Sequence, residues 1–123
     1  MLTIRGEQMA VLQQARQRDF ENRLCSHLEL ELTRLGTPMA NTRVRECISR
    51  GVLEAPSYGL QSERHVADFV EATLIYLGGF PKGALPKSAL AILYSYGLNS
   101  NVKLQRYQQW AAEHTAKVAH VIQ

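Results

Sequence analysis

The sequence predicts an all-α fold, a compact bundle of about five helices in which the first helix is the longest. Apolar residues recur every three or four positions along most of the chain, which is the period of an amphipathic helix. Glycine and proline fall between these periodic runs and separate them. No segment alternates apolar and polar residues over the length of a strand. We therefore expect helices joined by short connections.

Residues 1–123 are expected to form a single domain. A hydrophobic content of 46% and a charged content of 20% suit one hydrophobic core and argue against a disordered chain. Residues 1–7 contain no apolar signal core, and no run approaches the roughly 18 apolar residues of a membrane span. We expect a cytoplasmic protein with no membrane partner.

The first helix is predicted to run from Arg5 to Leu35, where Gly36 and Pro38 end it. At 1.5 Å per residue it would be roughly 45 Å long, more than a small core can cover. One end is therefore expected to overhang the core or to pack on a partner. The residues expected on its apolar stripe are Met9, Leu12, Ala15, Phe20, Leu24, Leu28, Leu32 and Leu35.

The second and third helices are predicted from their end signals. Asn41 or Thr42 can cap the second helix, and Pro56 is expected to distort its last turn. Gly59 then closes it in a left-handed conformation, and Ser62 caps the third helix. The residues expected on the inner faces of the two helices are Val44, Ile48, Val52, Ala55, Val66, Phe69, Val70, Leu74 and Leu77.

Two further helices follow a loop at residues 80–85. Pro86 is expected to be the first residue of a short fourth helix that ends at Gly97, and Asn99 or Ser100 is expected to cap the last helix. The apolar positions of these two helices are Ala89, Ile92, Leu93, Tyr96, Val102, Tyr107, Trp110, His114, Val118 and Val121.

No residue pattern indicates catalysis or a metal, and we expect neither an enzyme nor a cofactor. The four histidines, His27, His65, His114 and His120, lie at no metal-ligand spacing. No serine lies in a nucleophile pattern, and the glycine-rich loop at 78–83 lacks the ending that holds phosphate. The two cysteines, Cys25 and Cys47, are expected to be reduced thiols on inner helix faces.

Charge and aromatic residues favour binding to a protein. Residues 80–123 carry five basic residues against one acid, whereas residues 61–79 carry one basic residue against three acids. A basic surface can attract an acidic partner, although a solvated mixed surface is the ordinary explanation. The aromatic side chains that could serve either the core or an interface are Tyr94, Tyr96, Tyr107 and Trp110.

The helix pair around Gly59 also has the layout of a DNA-binding helix-turn-helix. Its second helix, however, carries Glu63, Asp68 and Glu71, which would repel phosphate. A nucleic-acid partner is therefore not expected, and this interpretation remains a remote alternative.

Residues 50–80, with a second match at residues 85–93, resemble a widespread family of small, uncharacterised, all-helical proteins that are encoded in bacterial type VI secretion effector clusters. The matching positions are Arg50-Gly51, Ala55, Tyr58-Gly59-Leu60, Ser62-Glu63-Arg64, Val66-Ala67, Phe69, Leu77-Gly78, Phe80, Leu85-Pro86, Ala89, Ile92 and Leu93. The chain departs from the pattern at Pro81-Lys82, where an acidic residue is common, and at Lys87, where an aromatic one is.

The resemblance implies a non-enzymatic helper, a chaperone or co-adaptor that binds a secretion effector, its adaptor or a spike component. An immunity protein that neutralises a cognate toxin is the alternative, and a homo-oligomer is compatible with either role. We expect the partner to cover part of the first helix and a surface that carries Tyr94, Tyr107 and Trp110, with Lys103 and Arg106 at its rim.

Overall fold

The computed structural model describes the backbone of residues 6–81, 83–95 and 97–122, and the side chains of residues 14–81, 83–95 and 97–115. These residues form helices and connections and contain no β-strand. The helices are α1 (Gly6–Arg34), α2 (Asn41–Glu54), α3 (Glu63–Leu77), α4 (Lys87–Leu93) and α5 (Ser100–Ile122), with a 3-10 helix (Ala55–Tyr58) directly after α2. The predicted all-α bundle is confirmed.

The first helix is the longest, as predicted, with 29 residues. Its predicted first residue, Arg5, lies outside the described residues. Gly36 ends the helix in a left-handed conformation (φ 78°), and the Thr37 amide donates to the Leu32 carbonyl at 2.9 Å.

In the part of α1 whose side chains are described, residues 14–34, the core contacts begin at Phe20. Phe20, Leu24, Leu28 and Leu32 are buried, whereas all of residues 14–19 are exposed. The prediction that Ala15 and Leu35 belong to the buried stripe is therefore wrong, and the side chains of Met9 and Leu12 lie outside the described ones. The apolar rhythm continues along the helix, but among the described side chains burial begins only at Phe20.

The start of α2 differs from the predicted cap. Ala40 occupies the N-cap position, and no side chain bonds the free backbone amides there. Asn41 donates its side-chain amide to the Glu29 carboxylate at 2.5 Å instead, which ties α2 to α1. Farther along α2, Gly51 lies against α3, because a Cβ built on it would stand 2.3 Å from a Val70 methyl carbon. The lack of a side chain at Gly51 therefore sets how closely the two helices approach.

The connection between α2 and α3 follows the prediction closely. Pro56 lies in the first turn of the 3-10 helix, and Gly59 closes that helix with a φ of 76°. Ser62 caps α3 by accepting a hydrogen bond from the His65 amide at 3.1 Å. Leu60, between the two signals, is fully buried. We call residues 59–62 the α2–α3 turn.

The bounds of α4 differ from the prediction. Pro86 is the N-cap and Lys87 the first helical residue, and the helix ends at Leu93 well before Gly97. The predicted inner position Tyr96 lies outside the described residues. The last helix begins as expected, because Asn99 accepts a hydrogen bond from the Val102 amide at 2.9 Å.

The centre of the core lies between α3 and α5. Phe69 and Tyr107 are fully buried there, with ring centroids 5.2 Å apart. The Tyr107 hydroxyl lies 2.7 Å from the Thr73 hydroxyl, which itself donates to the Phe69 carbonyl. The Thr73 and Tyr107 hydroxyls are therefore hydrogen-bonded to each other and to the helix backbone.

Both cysteines are buried free thiols, as predicted. Burial raises the pKa of Cys47 to about 11 and also raises the pKa of Cys25. Among the described helices, none is long and apolar enough to span a membrane.

Candidate partner-binding site

Two of the five residues predicted to contact a partner lie inside the molecule. Tyr107 is 0% exposed, and Lys103 is 5% exposed with its ammonium group donating to the Tyr58 carbonyl at 2.8 Å. The prediction that they lie on a binding surface is therefore wrong. Both residues lie on the buried face of α5. A lysine at position 103 does not indicate a buried position, because lysine is usually exposed.

The other three residues are accessible but do not form one surface. Trp110 is half-buried beside the start of α4, where its indole N–H donates to the Ser88 hydroxyl at 2.9 Å. Tyr94 is 42% exposed and follows the opposite end of α4, with its ring 5.1 Å from Tyr58. Arg106 is exposed on α5, one turn before Trp110. The length of α4 therefore separates Tyr94 from Trp110.

Trp110 forms one wall of an open groove of about 610 Å³, which we call the Trp110 groove. It lies between the end of α3, the 78–86 loop and the second half of α5. Its lining residues are Arg43, Tyr76, Leu77, Gly78, Gly79, Phe80, Pro81, Ala84, Pro86, Trp110, His114 and Thr115.

The α5 wall of the groove continues a column of aromatic rings that begins in the core. The Tyr107 and Trp110 rings stack with centroids 5.9 Å apart, and the His114 ring stacks on Trp110 at 5.0 Å. Spacings of three and four residues place these side chains along one face of the α-helix. Because Tyr107 is fixed in the core, the indole ring is held in one orientation at the groove.

Two arginines of α2 hold the opposite wall. Arg43 donates to the Gly78 carbonyl at 2.7 Å, and Arg50 donates to the carbonyls of Pro81 and Gly83. The Arg50 guanidinium also lies 5.1 Å from the centre of the Phe80 ring, within the range of a cation–π contact. These side chains therefore tie the described residues of the 78–86 loop to α2.

The chemistry of the Trp110 groove suits apolar binding. Tyr76, Phe80 and Trp110 supply aromatic surface, and the loop adds two prolines. Among the described residues that line it there is a basic side chain, Arg43, and no carboxylate. Nor do the described residues hold any group of three His, Cys, Asp or Glu side chains placed to bind a metal ion.

The sequence indicates Trp110 but not the rest of this groove. Residues 78–83 are predicted to be only a helix-ending loop, yet Gly78, Phe80 and Pro81 form a wall of the groove. A Phe-Pro pair in the connection between two helices was the available signal. The partners that make the loop a fixed surface, Arg43 and Arg50, come from a helix some 30 residues earlier and gave no local signal.

No family model, curated protein or solved structure matches this chain.

Proposed function

We propose that this protein is a non-enzymatic accessory protein that binds a type VI secretion effector or its adaptor and promotes the stability or loading of that partner. The observation that carries the binding role is the Trp110 groove, an apolar cleft with a fixed wall on each side. The association with secretion rests on the resemblance of residues 50–80 alone.

The form of the groove supports a protein partner. Grooves that bind protein segments expose aromatic anchors to solvent while the surrounding structure holds them rigid. Trp110 meets this description, since it stacks on the buried Tyr107 on one side and contributes to the groove on the other. The size of the groove falls in the range that buries several side chains of a ligand.

The exposed segment of α1 at residues 14–19 supports the same role. All six of its residues are exposed, and an isolated helical segment of that size is marginal in water. A partner that packs along this segment would stabilise it. The segment is basic on balance, with Arg16 and Arg18 against Asp19.

The charge on α3 supports a protein partner over a nucleic acid. A groove other than the Trp110 groove lies between α3 and the first half of α5. It is lined by Asp68 and Glu71 with Arg64, so its net charge is negative. Phosphate binding by this face would require the opposite sign.

Binding can be tested by pulldown of the tagged chain from cells that express its genomic neighbours. Trp110→Ala should reduce capture of the effector or adaptor at least tenfold, because buried aromatic anchors cost about 2 kcal/mol or more on truncation. Leu53→Ala is the matched control, since Leu53 is a 79% exposed apolar residue on α2 outside the groove. Circular dichroism should show that both variants remain folded. Equal loss of capture in both variants would assign binding to another surface.

The role in secretion needs a two-way assay in cells. Deleting the gene should reduce delivery of the effector to rival cells and leave the deletion strain no more sensitive to its siblings. A deletion strain that siblings kill, and that still delivers the toxin normally, would replace the helper role with immunity.

A further inference from the structure

We infer that the Trp110 groove binds a short segment of the partner in which apolar anchor residues lie next to acidic ones. This inference rests on the proposed function and specifies the chemistry of the segment that the groove accepts.

The apolar requirement follows from the walls. Tyr76, Phe80 and Trp110 present ring surface, and Leu77, Ala84 and the two prolines fill the space between them. The polar atom of the indole ring is already used, because Trp110 donates to Ser88 at 2.9 Å. Similarly, the single proton of the Thr115 hydroxyl is directed to backbone carbonyls, since those of Tyr76 and Ala111 both lie within hydrogen-bond distance. Few side-chain groups in the groove therefore remain to satisfy a polar ligand, whereas apolar side chains would gain from leaving water.

The acidic requirement follows from the rim. Arg43 lines the groove, and Arg50, which pairs with Glu54 at 3.0 Å, adjoins it through its contacts with Phe80 and Pro81. No carboxylate appears among the described lining residues. A second groove, between α3 and the first half of α5, has the opposite charge. It is lined by Asp68 and Glu71 with one arginine, Arg64. A partner with carboxylates beside its apolar anchor is complementary to the Trp110 groove and would be repelled by the other.

Nucleic acid fits the Trp110 groove less well than an acidic peptide. Backbone binding to a nucleic acid uses several cationic contacts along a track. The arginine that lines the groove already donates to the Gly78 carbonyl at 2.7 Å, and the second, Arg50, is shared among Glu54 and two loop carbonyls. These guanidinium groups can attract a neighbouring carboxylate, but they do not form a free row of phosphate contacts.

The chain contains one tryptophan, which makes occupation of the groove directly measurable by fluorescence. A random dodecapeptide library would be selected on the wild-type protein, with counter-selection on Trp110→Ala. Enriched peptides should combine leucine, phenylalanine or tryptophan with a net negative charge, and each should change the emission of Trp110 on titration. Enrichment of basic or purely polar peptides, or no enrichment, would overturn the inference.

A charge-reversal pair at Ala84 tests the acidic requirement without disturbing the core. Ala84 is exposed and lines the groove, so glutamate and lysine are both tolerated there sterically. Ala84→Glu should weaken binding of an enriched peptide roughly fivefold, and Ala84→Lys should leave it equal or tighter. The difference between the two variants should shrink in high salt. Equal affinities at low salt would contradict the role of charge.

Two other occupants are outcomes of the same experiment. A fluorescent single-stranded oligonucleotide that quenches Trp110 more strongly than any enriched peptide would overturn the inference in favour of nucleic acid. Self-association that Trp110→Ala abolishes, measured by light scattering, would assign the groove to a second copy of the chain.

The failure of this inference and the failure of the proposed function give different results. If the gene is needed for effector delivery but Ala84→Glu binds the effector normally, the helper function stands and the groove chemistry is wrong. If acidic peptides bind the groove but deletion leaves delivery unchanged, the groove chemistry stands and the secretion role is wrong.

Discussion

The two ends of α3 use the same local device in opposite surroundings. The α2–α3 turn before the helix and the 78–86 loop after it each begin at a left-handed glycine, Gly59 with φ 76° and Gly78 with φ 74°. At each end a basic side chain donates to a backbone carbonyl, Lys103 to Tyr58 at 2.8 Å and Arg43 to Gly78 at 2.7 Å.

The surroundings decide what each end does. Tyr58 and Leu60 are buried, and Lys103 of α5 is buried where it donates to the Tyr58 carbonyl, so the α2–α3 turn is anchored in the core. Arg43 is exposed, and the 78–86 loop stands away from α5 far enough to leave the Trp110 groove open. The α2–α3 turn at one end of α3 is therefore expected to stabilise the fold, and the 78–86 loop at the other end is expected to serve binding.

The largest difference should come from truncating one aromatic residue at each end. Tyr58→Ala should cost about 3 to 4 kcal/mol of unfolding free energy, because it empties a buried site between Phe69 and Tyr94. Phe80→Ala should cost about 1 to 2 kcal/mol, since Phe80 is only half-buried. Urea denaturation followed by circular dichroism measures both. Equal costs would show that the 78–86 loop belongs to the core as much as the turn does.

Alkaline pH should weaken the fold through buried groups at both ends. Burial raises the pKa of Cys47, near the 78–86 loop, to about 11, and that of Tyr58 to about 12. The folded state therefore holds these protons more tightly than the unfolded state, so their contribution is complete below pH 9 and declines as the pH rises. Cys47 alone should account for about 2 to 3 kcal/mol, lost between about pH 9 and pH 11.

Cys47→Ala separates the two contributions. The variant should lose the decline in stability between pH 9 and pH 11 and keep the tyrosine part above pH 10, as measured by urea midpoints across the range. An unchanged pH profile would mean that the Cys47 thiol is as accessible to water in the folded state as in the unfolded one.

Removing the basic side chain at each end of α3 should give a smaller difference in unfolding free energy than truncating the aromatic residues does. Lys103→Met should cost about 1.5 kcal/mol, because the buried Tyr58 carbonyl loses a charge-assisted hydrogen bond, partly offset by not burying an ammonium group. Arg43→Met should cost below about 0.5 kcal/mol, since water can reach the Gly78 carbonyl. Thermal melts of the two variants test this. A larger loss of stability for Arg43→Met would mean that the 78–86 loop, and not the α2–α3 turn, is the end of α3 that stabilises the fold.

Substituting the glycine at either end of α3 should lower the stability of the fold by the same amount. Gly59→Ala and Gly78→Ala should each cost about 1 kcal/mol, because a side chain is strained at positive φ whatever its surroundings. A Cβ at either position would meet its nearest atom at an ordinary 3.7 Å, so no clash adds to the cost. Gly83→Ala is the control and should be nearly neutral, since Gly83 has no positive φ and open space around it.

Much of the fold was predictable because helix ends are encoded locally. Gly36, Gly59 and Gly78 end helices, and Ser62 and Asn99 cap them, through contacts within a few residues. The predictions failed where the outcome depended on distant parts of the chain. Asn41 had the right chemistry for a cap, but Glu29 on the neighbouring helix takes its side chain.

The candidate site was less predictable than the fold for the same reason. Trp110 was found from its residue type, yet nothing local indicated that Tyr107 faces the core while Trp110 faces a groove. That choice depends on the position of α5 against α3 and α4, which the contacts of Tyr107 with Thr73 and of Trp110 with Ser88 establish.

The sequence by itself determined the helical class, the order of the helices and the residues that end most of them, because periodicity and backbone preference act over a single turn. The tertiary packing set the burial of Lys103, the exposure of residues 14–19 of α1, and the part of the 78–86 loop in a wall of the groove. Burial is a property of where helices meet, and that depends on the sum of contacts between residues far apart in the chain.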